Sequence, residues 1–491
     1  MIYVNFLNIV KIKAITEIRW FICAFIYVSS VVGQPASATL QERLDNLLRD
    51  DFYQYATAGV AVYDLTDQKM LYVHNEKRLA RPASNMKILT SAAALSQLTS
   101  RYTFRTGLYY TGSIDSAGRL LGDVYLKGGF DPELRSADLD RFIARMKTAG
   151  IKSIEGNLFL DVSMGDSTFW GKAWSWDDDM EAYQPYLSPM PLNKGIARIR
   201  VTPAVSAGQA PAIRTEPESS FIQIINRSTT VQRSSEPPQS SLRFSRELVE
   251  GNNRIDISGV IASSAGTYDR RISLKNPNNY VLTIFFEKMM LEFPESNIQT
   301  CRLSVVPENA VNIGYVTRNI ADVINPVNKD SDNLNAEMLL YALGYFHDSE
   351  QSSTEKGIAA VQQMMSQLGF QPNSYRMVDG SGLSNQNYLS PEIIIAVLRH
   401  MHQSSEFEIF RQSLPVAGVD GTLSNRMRNT AAHRNATAKT GSLTSVSALS
   451  GYVTAKNGNL LAFSILVQNF VDRAAAVSVN YIDKICVALA E

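Results

Sequence analysis

The tetrapeptide Ser84-Asn85-Met86-Lys87 places a hydroxyl and an amine at a spacing that allows acyl-transfer chemistry. Pro82 precedes it, at a position where helices commonly begin because the missing N–H costs nothing there. Good helix formers follow, so the sequence predicts a helix N-terminus near Ser84, with Lys87 one turn later on the same face. A neutral lysine amine there can take the serine proton, and a backbone N–H can hold the oxyanion. The alternative is a serine cap followed by a solvated lysine, because Ser-x-x-Lys alone is a common pattern.

Two more motifs follow in order, Ser331-Asp332-Asn333 and Lys439-Thr440-Gly441. Each is weak alone, since the first could be a turn and the second the end of a strand. Together with the Ser84 tetrapeptide they form the motif set of penicillin-binding proteins and serine β-lactamases. The trio therefore favours a nucleophilic serine over a simple helix cap.

The elements that must position these motifs form an α/β (α+β) domain, with an antiparallel sheet flanked by helices. A helix and two strands are expected before Ser84, and Ser331 is expected on a loop or cap just before a helix. An Asn457-Gly458 turn indicates a hairpin near the C-terminus. Numbered along the chain, the sequence predicts helices at 39–49, 334–345, 354–368, 391–402 and 471–489, and strands at 57–64, 69–74, 437–442, 447–454 and 460–468.

The region between the first two motifs has a different pattern, with alternating apolar and polar residues, glycine turns and one helix at 137–148. It contains no nucleophile motif. The sequence therefore predicts one domain in two segments, 39–104 and 318–491, interrupted by an inserted β-rich region at 105–317 that forms two small domains. Because all three motifs lie outside the insert, the acylation centre is expected to form without it.

Bulk composition excludes several classes of function. The chain has 491 residues, with 47 Lys+Arg against 47 Asp+Glu, so no charge excess points to nucleic acid. The histidines and cysteines form no metal-ligand spacing, and neither a metal nor a cofactor is expected. Cys301 and Cys486 either pair after export or stay as thiols, because their spacing does not decide.

The first residues resemble a targeting segment. Lys11, Lys13 and Arg19 precede an apolar run at 20–32, and Ala36-Ser37-Ala38 offers a small-x-small cleavage site. We therefore expect a signal peptide at 1–38, export to a periplasmic or extracytoplasmic location, and no membrane span after cleavage. An uncleaved anchor is the alternative.

With these motifs the chain resembles the D-alanyl-D-alanine carboxypeptidase/endopeptidase group of low-molecular-mass class C penicillin-binding proteins, the type 4 group. The resemblance rests on the three motifs, the glycine-rich turn Asp379-Gly380-Ser381-Gly382-Leu383-Ser384, and the long insert between the first two motifs. A tract at 169–193 also resembles the inserted region of that family. The resemblance implies a serine β-lactamase/DD-peptidase-like fold, peptidoglycan stem peptides as substrates, and inhibition by β-lactam antibiotics.

The resemblance also implies residue roles. Ser84 would be the acylated nucleophile and Lys87 its base, while Ser331 and Asn333 would contact the proton network and the substrate amide. Lys439 would add positive charge near Ser331. Thr440, Gly441 and Ser442 would belong to the substrate-binding strand, with Thr440 and Ser442 on the terminal carboxylate. The backbone N–H groups of Ser84 and Ser442 would form the oxyanion hole.

One position departs from the family pattern. Family members often have arginine directly after the glycine-rich turn, where it helps recognise the diaminopimelate side chain, and here the residue is Asn385. Asp178 matches the family's acidic residue in the same side-chain pocket. The alternative for Asp178 is a solvated acidic loop, because Asp177 and Asp179 flank it.

Two other functions compete with a DD-carboxypeptidase or endopeptidase. A serine β-lactamase or esterase is opposed by the long insert and by the lack of an identifiable deacylating glutamate. A catalytically silent peptidoglycan-binding protein is opposed by the intact trio, since binding alone has no need of Lys87. The oligomeric state is not indicated by the sequence.

Overall fold

The computed structural model describes residues 39–232, 240–247 and 253–491, and the expected signal peptide lies outside these residues. The chain divides into two compact units, Met1–Asn46 and Leu47–Glu491. The described part of the first unit is the beginning of helix α1 (Leu40–Leu48), which the sequence predicted at 39–49. The fold and the site described below belong to the second unit. Of the helices in the described ranges, none has the length and hydropathy that crossing a bilayer requires.

The helices confirm most of the predicted ones, within a few residues at each end. Helix α2, which follows the Ser84 turn, carries Lys87 in its first turn. In chain order, the α-helices after α1 in the described residues are α2 (Met86–Leu98), α3 (Ser136–Thr148), α4 (Pro277–Glu292), α5 (Ile320–Lys329), α6 (Asn333–His347), α7 (Thr354–Gln367), α8 (Pro391–Gln403), α9 (Phe407–Ser413), α10 (Ala474–Val477) and α11 (Asp483–Ala490).

The strands of the described residues fall into one sheet near the two ends of the chain and further sheets between the first two motifs. In chain order they are β1 (Thr57–Asp64), β2 (Lys69–His74), β3 (Thr103–Tyr110), β4 (Ser113–Ile114), β5 (Arg119–Leu121), β6 (Val124–Lys127), β7 (Ser153–Asp161), β8 (Ile196–Thr202), β9 (Ala212–Glu216), β10 (Gln223–Val231), β11 (Arg243–Arg246), β12 (Arg254–Ala262), β13 (Tyr268–Ser273), β14 (Asn297–Leu303), β15 (Val311–Asn319), β16 (Thr437–Leu443), β17 (Val446–Thr454) and β18 (Leu460–Gln468).

A five-stranded antiparallel sheet joins the two ends of the chain, in the order β16-β17-β18-β1-β2. Strand β18 lies at its centre and pairs with β1 over its whole length, from Thr57 opposite Gln468 to Asp64 opposite Leu461. Strands β1, β17 and β18 are buried along almost their full length, as strands covered by helices on both faces must be. Helices α8 and α2 pack in the core on one side. The predicted sheet flanked by helices is confirmed.

The region between the motifs forms three further sheets. One contains β15, β3, β6, β7, β5 and β4 in that order, with β14 paired to β7, and the other two have three strands each. Helices α3 and α4 pack with these strands in a second hydrophobic core. The predicted insert begins at Arg105, inside β3, and ends at Thr317, inside β15. These two residues lie directly opposite each other in the antiparallel pair. The division of the insert into two small domains stays a prediction.

Two predicted features were wrong. Residues 277–292 were included among the short strands, but they form helix α4, whose aliphatic and aromatic residues are buried on several faces and so give no helical period. The predicted closing helix at 471–489 is interrupted by a π-helical segment, Ser478–Ile482, which buries Ser478 against Ser447. The two cysteines, left open by the sequence, are both free thiols, with Cys301 exposed and Cys486 buried.

Candidate active site

Ser84 lies in a short 3₁₀ turn, Ala83–Asn85, that leads directly into α2. Its side chain is half-buried, whereas Lys87, one turn later, has no exposed surface. The Lys87 Nζ lies 3.0 Å from the Ser84 Oγ. The predicted meeting of these two side chains at a helix N-terminus is confirmed, and the alternative of a solvated lysine is excluded by its burial.

The amine of Lys87 also contacts two carbonyl oxygens. Its Nζ donates to Asn333 Oδ1 at 2.6 Å and to the Ser381 carbonyl at 2.5 Å. The amide of Asn333 is held in this orientation because its Nδ2 donates to the Tyr183 carbonyl at 2.7 Å. A neutral amine has two N–H groups and one lone pair, and a carbonyl can only accept. The two carbonyls therefore take the two N–H groups and leave the lone pair for the Ser84 hydroxyl.

Burial makes that neutral state accessible. Desolvation lowers the pKa of Lys87 from 10.5 to about 8, against the opposing pull of Asp379, Glu337 and Asp332. At neutral pH a useful fraction of the amine is therefore unprotonated. The arrangement can abstract the proton of Ser84, which is what a general base for a serine nucleophile must do.

A second lysine and serine lie on the other side of the cleft. Lys439, on β16, is fully buried and donates from its Nζ to Ser331 Oγ at 2.8 Å and to the Thr440 carbonyl at 3.1 Å. Burial and the nearby Lys87 lower the pKa of Lys439 well below its usual value. Ser331 has a φ of 61°, a left-handed conformation that is uncommon for a residue with a side chain and that is frequent at functional sites.

Close packing fixes β16 against the turn that carries Ser84. Asn85 Nδ2 donates to the Lys439 carbonyl at 3.2 Å. A Cβ at Gly441 would lie 2.8 Å from the Pro82 carbonyl oxygen, so only glycine allows this approach. Thr440 donates to the Thr422 hydroxyl at 2.7 Å, and Ser442 is exposed at the end of the motif. Strand β16 is therefore held against the turn that carries Ser84.

The glycine-rich turn 379–384 closes the site from a third direction. The carboxylate of Asp379 accepts hydrogen bonds from the backbone N–H groups of Gly382 and Ser384, at 2.8 and 2.6 Å. Gly382 has a φ of 84°, and a Cβ there would lie 1.9 Å from the carbonyl oxygen of Ala83, the residue before the serine. The turn and the Ser84 backbone are therefore in direct contact. Asn385, immediately after the turn, is exposed.

Asp178 lies close to this centre without contacting it. Its Oδ1 accepts a hydrogen bond of 2.6 Å from the hydroxyl of Tyr183, whose carbonyl orients Asn333. The neighbouring Asp179 is in a different setting, because it forms a 2.5 Å ion pair with the buried Arg246. A cavity of about 370 Å³ opens beside Tyr183, Ser331 and Asn333. The proposed role of Asp178 in substrate binding stays a prediction.

Residues of the insert contact the motifs directly. Lys194 Nζ lies 2.5 Å from Asp332 and 2.6 Å from Glu133. Trp174 donates from Nε1 to Asp379 at 2.9 Å. With the Tyr183 carbonyl on Asn333, the insert contributes to the surroundings of two motif regions, Ser331-Asp332-Asn333 and the glycine-rich turn. The expectation that the acylation centre forms without the insert stays a prediction, and these contacts count against it.

Sequence reasoning missed three groups at the site. The Ser381 and Tyr183 carbonyls are backbone atoms, which carry no signal in residue type. The third is Glu337, which is 1% exposed and accepts hydrogen bonds from the backbone of the glycine-rich turn. A lone acid inside the apolar run of α6 was the available signal for it.

A serine with a buried lysine, on a helix packed against a five-stranded antiparallel sheet, defines the class of serine DD-peptidases and β-lactamases. Residues 40–490 match the D-Ala-D-Ala carboxypeptidase 3 (S13) family. The chain belongs to this family, and the protein is a serine-type D-Ala-D-Ala carboxypeptidase. The reaction concerns the D-Ala-D-Ala end of peptidoglycan peptides, which makes this a family of cell-wall enzymes.

Relatives and solved structures agree with this assignment. The chain is 31% identical to a D-alanyl-D-alanine carboxypeptidase of Actinomadura sp. (strain R39), over 92% of this chain and 84% of the relative. It is 25% identical to D-alanyl-D-alanine carboxypeptidase DacB of Haemophilus influenzae, over 84% of this chain and 86% of the relative. The crystal structure of penicillin-binding protein 4 from Haemophilus influenzae has the same fold, with a TM-score of 0.78, 24% identity, and coverage of 90% of this chain and 97% of that one. That protein has also been solved in complex with a β-lactam, and this structure aligns with a TM-score of 0.73 at 22% identity over 91% of this chain and 97% of that one.

Proposed function

We propose that Ser84 is the residue acylated in the D-Ala-D-Ala carboxypeptidase reaction and that Lys87 is its general base. One observation carries the proposal: the Lys87 amine is buried, lies 3.0 Å from Ser84 Oγ, and has two carbonyl acceptors that direct its lone pair to the hydroxyl. The substrate is the D-Ala-D-Ala end of a peptidoglycan stem peptide. The reaction is acyl transfer to serine followed by hydrolysis.

Acylation begins when Lys87 takes the Ser84 proton and Oγ attacks the carbonyl carbon between the two D-alanines. The backbone N–H groups of Ser84 and Ser442 stabilise the oxyanion of the tetrahedral intermediate. As the C–N bond breaks, the leaving D-alanine nitrogen takes a proton from Ser331 Oγ. In the proposed cycle Lys439 carries the charge while Lys87 is neutral. Once Lys87 is protonated, the repulsion between the two cations favours transfer of a proton from Lys439 to Ser331 Oγ, 2.8 Å away. A water molecule then attacks the ester and gives one proton to Ser331 Oγ, whose own proton returns to Lys439. As the ester C–O bond breaks, Ser84 Oγ takes the proton of the Lys87 ammonium, and the product carboxylic acid loses its proton to solvent.

Substrate orientation comes from β16. We assign Thr440 and Ser442 to the terminal carboxylate: the Ser442 hydroxyl is exposed, and the Thr440 hydroxyl, which donates to Thr422 in the free protein, turns to the carboxylate when substrate binds. Asn333 has its amide held between Lys87 and Tyr183, and we place it beside the substrate amide on the acyl side. Asp178, through Tyr183, lies on the same side and is our candidate for the substrate side-chain pocket.

β-Lactams should acylate the same serine. The four-membered ring presents a strained amide to Ser84, and the amine that leaves stays attached to the opened ring, where it hinders the hydrolytic water. Among the described residues we identify no dedicated deacylating base, so the ester is expected to persist. The β-lactam complex of the Haemophilus influenzae protein supports this proposal. We further propose export of the chain, in line with the expected signal peptide at 1–38.

The experiment is mass spectrometry of the protein after exposure to benzylpenicillin, beside hydrolysis of a D-Ala-D-Ala peptide. Ser84→Ala should abolish both the mass adduct and the peptidase activity. Ser96→Ala, on the same helix α2, is the matched control and should retain both, because Ser96 contacts His400 and lies away from the site. An adduct on Ser84→Ala would refute the assignment, and many turnovers of penicillin per second would make the protein a β-lactamase.

A further inference from the structure

Glu337 is a buried acid close to the candidate site, and the reaction scheme above does not use it. It lies one helical turn after Asn333 on α6, so both side chains extend from the same face of the helix. Its side chain is 1% exposed. Burying a carboxyl group is costly unless it is hydrogen-bonded, so its partners indicate what it does.

The partners of Glu337 lie on the glycine-rich turn and are two backbone amides and the side chain of Ser381. Its Oε1 accepts from the Gly380 N–H at 3.1 Å and from the Ser381 N–H at 2.8 Å, and its Oε2 accepts from Gly380 at 3.1 Å. Within the described residues, no hydrogen bond links Glu337 directly to Ser84 or Lys87. Its effect on the reaction has to pass through the turn.

That turn supplies one of the two acceptors of Lys87. The carbonyl of Ser381 accepts from Lys87 Nζ at 2.5 Å, and the N–H of the same residue donates to Glu337. The other acceptor is Asn333 Oδ1, on the same helix as Glu337. Helix α6 therefore holds both acceptors of the lysine, one through the side chain of Asn333 and the other through Glu337 and the turn.

The charges around Glu337 fit this arrangement. Asp379 faces it from the turn, Tyr341 from its own helix, and Lys87 from α2. Burial and Asp379 raise the pKa of Glu337 to about 8, and the Ser381 hydroxyl together with the N–H groups of Gly380 and Ser381 opposes that rise. These donors are the interactions that make an acid at this position tolerable.

We propose that Glu337 is a positioning residue for Lys87: by binding the Gly380 and Ser381 amides it holds the Ser381 carbonyl where the lysine amine donates. The lone pair of Lys87 is directed at Ser84 only while both carbonyl acceptors are in place. Loss of the Ser381 acceptor frees the amine to rotate, so the base is displaced from the hydroxyl that it must deprotonate. This inference rests on the proposed roles of Ser84 and Lys87.

The test compares three variants of Glu337 in steady-state hydrolysis of a D-Ala-D-Ala peptide and in the rate of Ser84 acylation by benzylpenicillin. Glu337→Ala removes the acceptor, and Glu337→Asp keeps the carboxyl group but is one methylene too short to reach both amides. Glu337→Gln keeps an oxygen at Oε1, which alone contacts both N–H groups. Glu355→Ala, an exposed acid on α7, is the matched control.

We expect kcat to fall on the order of 100-fold in Glu337→Ala and Glu337→Asp, with KM unchanged, and Glu337→Gln to stay within about threefold of wild type. If the kcat of Glu337→Asp equals that of the wild-type protein, the proposal is overturned. The aspartate variant also provides the test on its own if Glu337→Ala does not fold. A Glu337→Gln variant as slow as the aspartate variant also overturns it. Failure of the wild-type protein to acquire a Ser84 adduct is a separate result, which refutes the proposed function instead.

Discussion

The proton on the Lys87 amine decides what Ser84 can do. A protonated lysine donates to all three neighbouring oxygens, whereas a neutral one accepts from the serine. Because burial lowers the pKa of Lys87 to about 8, both states are populated near physiological pH. The rate of acylation therefore follows the deprotonation of this side chain.

The first prediction concerns pH. Acylation by benzylpenicillin should increase as pH rises through about 8, because the folded-state pKa of Lys87 lies below its ordinary value and the neutral form is the base. Lys87→Arg keeps the charge and many contacts but cannot lose its proton, so acylation should fall about 10²–10⁴-fold at every pH below 10. Stopped-flow acylation rates between pH 5 and 10 measure both. A flat profile in the wild-type protein would contradict the role of Lys87.

The second prediction concerns Asn385. This residue is exposed directly after the glycine-rich turn, where an arginine would present a fork to a carboxylate. Asn385→Arg should raise kcat/KM on peptides with a side-chain carboxylate by up to about fivefold, because an exposed charge pair contributes up to about 1 kcal/mol. Peptides that end in D-Ala-D-Ala but lack the carboxylate give the reference rate. Asn457→Arg, in the remote hairpin, is the control. If the ratio of kcat/KM on the carboxylate peptide to kcat/KM on the reference peptide is the same in both variants, a pocket at Asn385 is excluded.

At the scale of elements, the segment 174–194 of the insert joins the two motif-bearing regions. Trp174 holds Asp379, the Tyr183 carbonyl holds Asn333, and Lys194 binds Asp332. None of the three is predicted to take part in bond breaking. They fix where the motif residues lie, so the insert is part of the site's support.

The third prediction tests that support at Lys194. Lys194→Met leaves the largely buried Asp332 and Glu133 without their shared cation, which should lower the free energy of unfolding by about 3 kcal/mol. Penicillin labelling of Ser84 should slow as well, because Asp332 caps the helix that carries Asn333. Arg135→Met is the control: it removes the exposed partner of Glu133 and should cost less than about 1 kcal/mol. If urea titrations show the same decrease in the free energy of unfolding for Lys194→Met and Arg135→Met, this account is contradicted.

Strands and helices near the motifs could be predicted well because their local patterns agree with their tertiary setting. Strand β18 was predicted with its observed bounds, from a turn signal followed by a continuous apolar run. Helix α4 was missed because its aromatic and β-branched residues are buried on several faces and show no period. Because its apolar residues are not confined to one face, no amphipathic period marks this helix.

The site residues likewise fall into those that local sequence patterns predict and those that they do not. Ser84, Lys87, Ser331, Asn333 and Lys439 could be found because reactive side chains recur in fixed local motifs. Glu337 and the Tyr183 carbonyl could not, because their importance depends on contacts between segments far apart in the chain. Local sequence shows which groups can react but not which distant backbone atoms hold them.

At the scale of the whole molecule, a count of reactive cysteines tests whether the expected signal peptide is removed. The sequence has three cysteines, of which Cys23 lies in the expected signal peptide, Cys301 is exposed, and Cys486 is buried. The fourth prediction is that the exported protein reacts rapidly with one equivalent of a thiol reagent when folded and with two when unfolded in denaturant. Burial also raises the pKa of the Cys486 thiol, which slows its reaction further. A third equivalent after unfolding would show that the signal peptide had been retained.

The order of strands in the five-stranded sheet has a consequence for synthesis. Its central strand, β18, comes from residues 460–468 and separates β1 from β17, so the N-terminal pair β1 and β2 has no partner strand until that stretch has left the ribosome. A nascent chain that already contains Ser84 and Lys87 also lacks Lys439 and the sheet that holds it beside them. The growing polypeptide is therefore inert and incompletely folded for most of its translation. For the export proposed above, this late closure leaves time for the chain to be translocated before it folds.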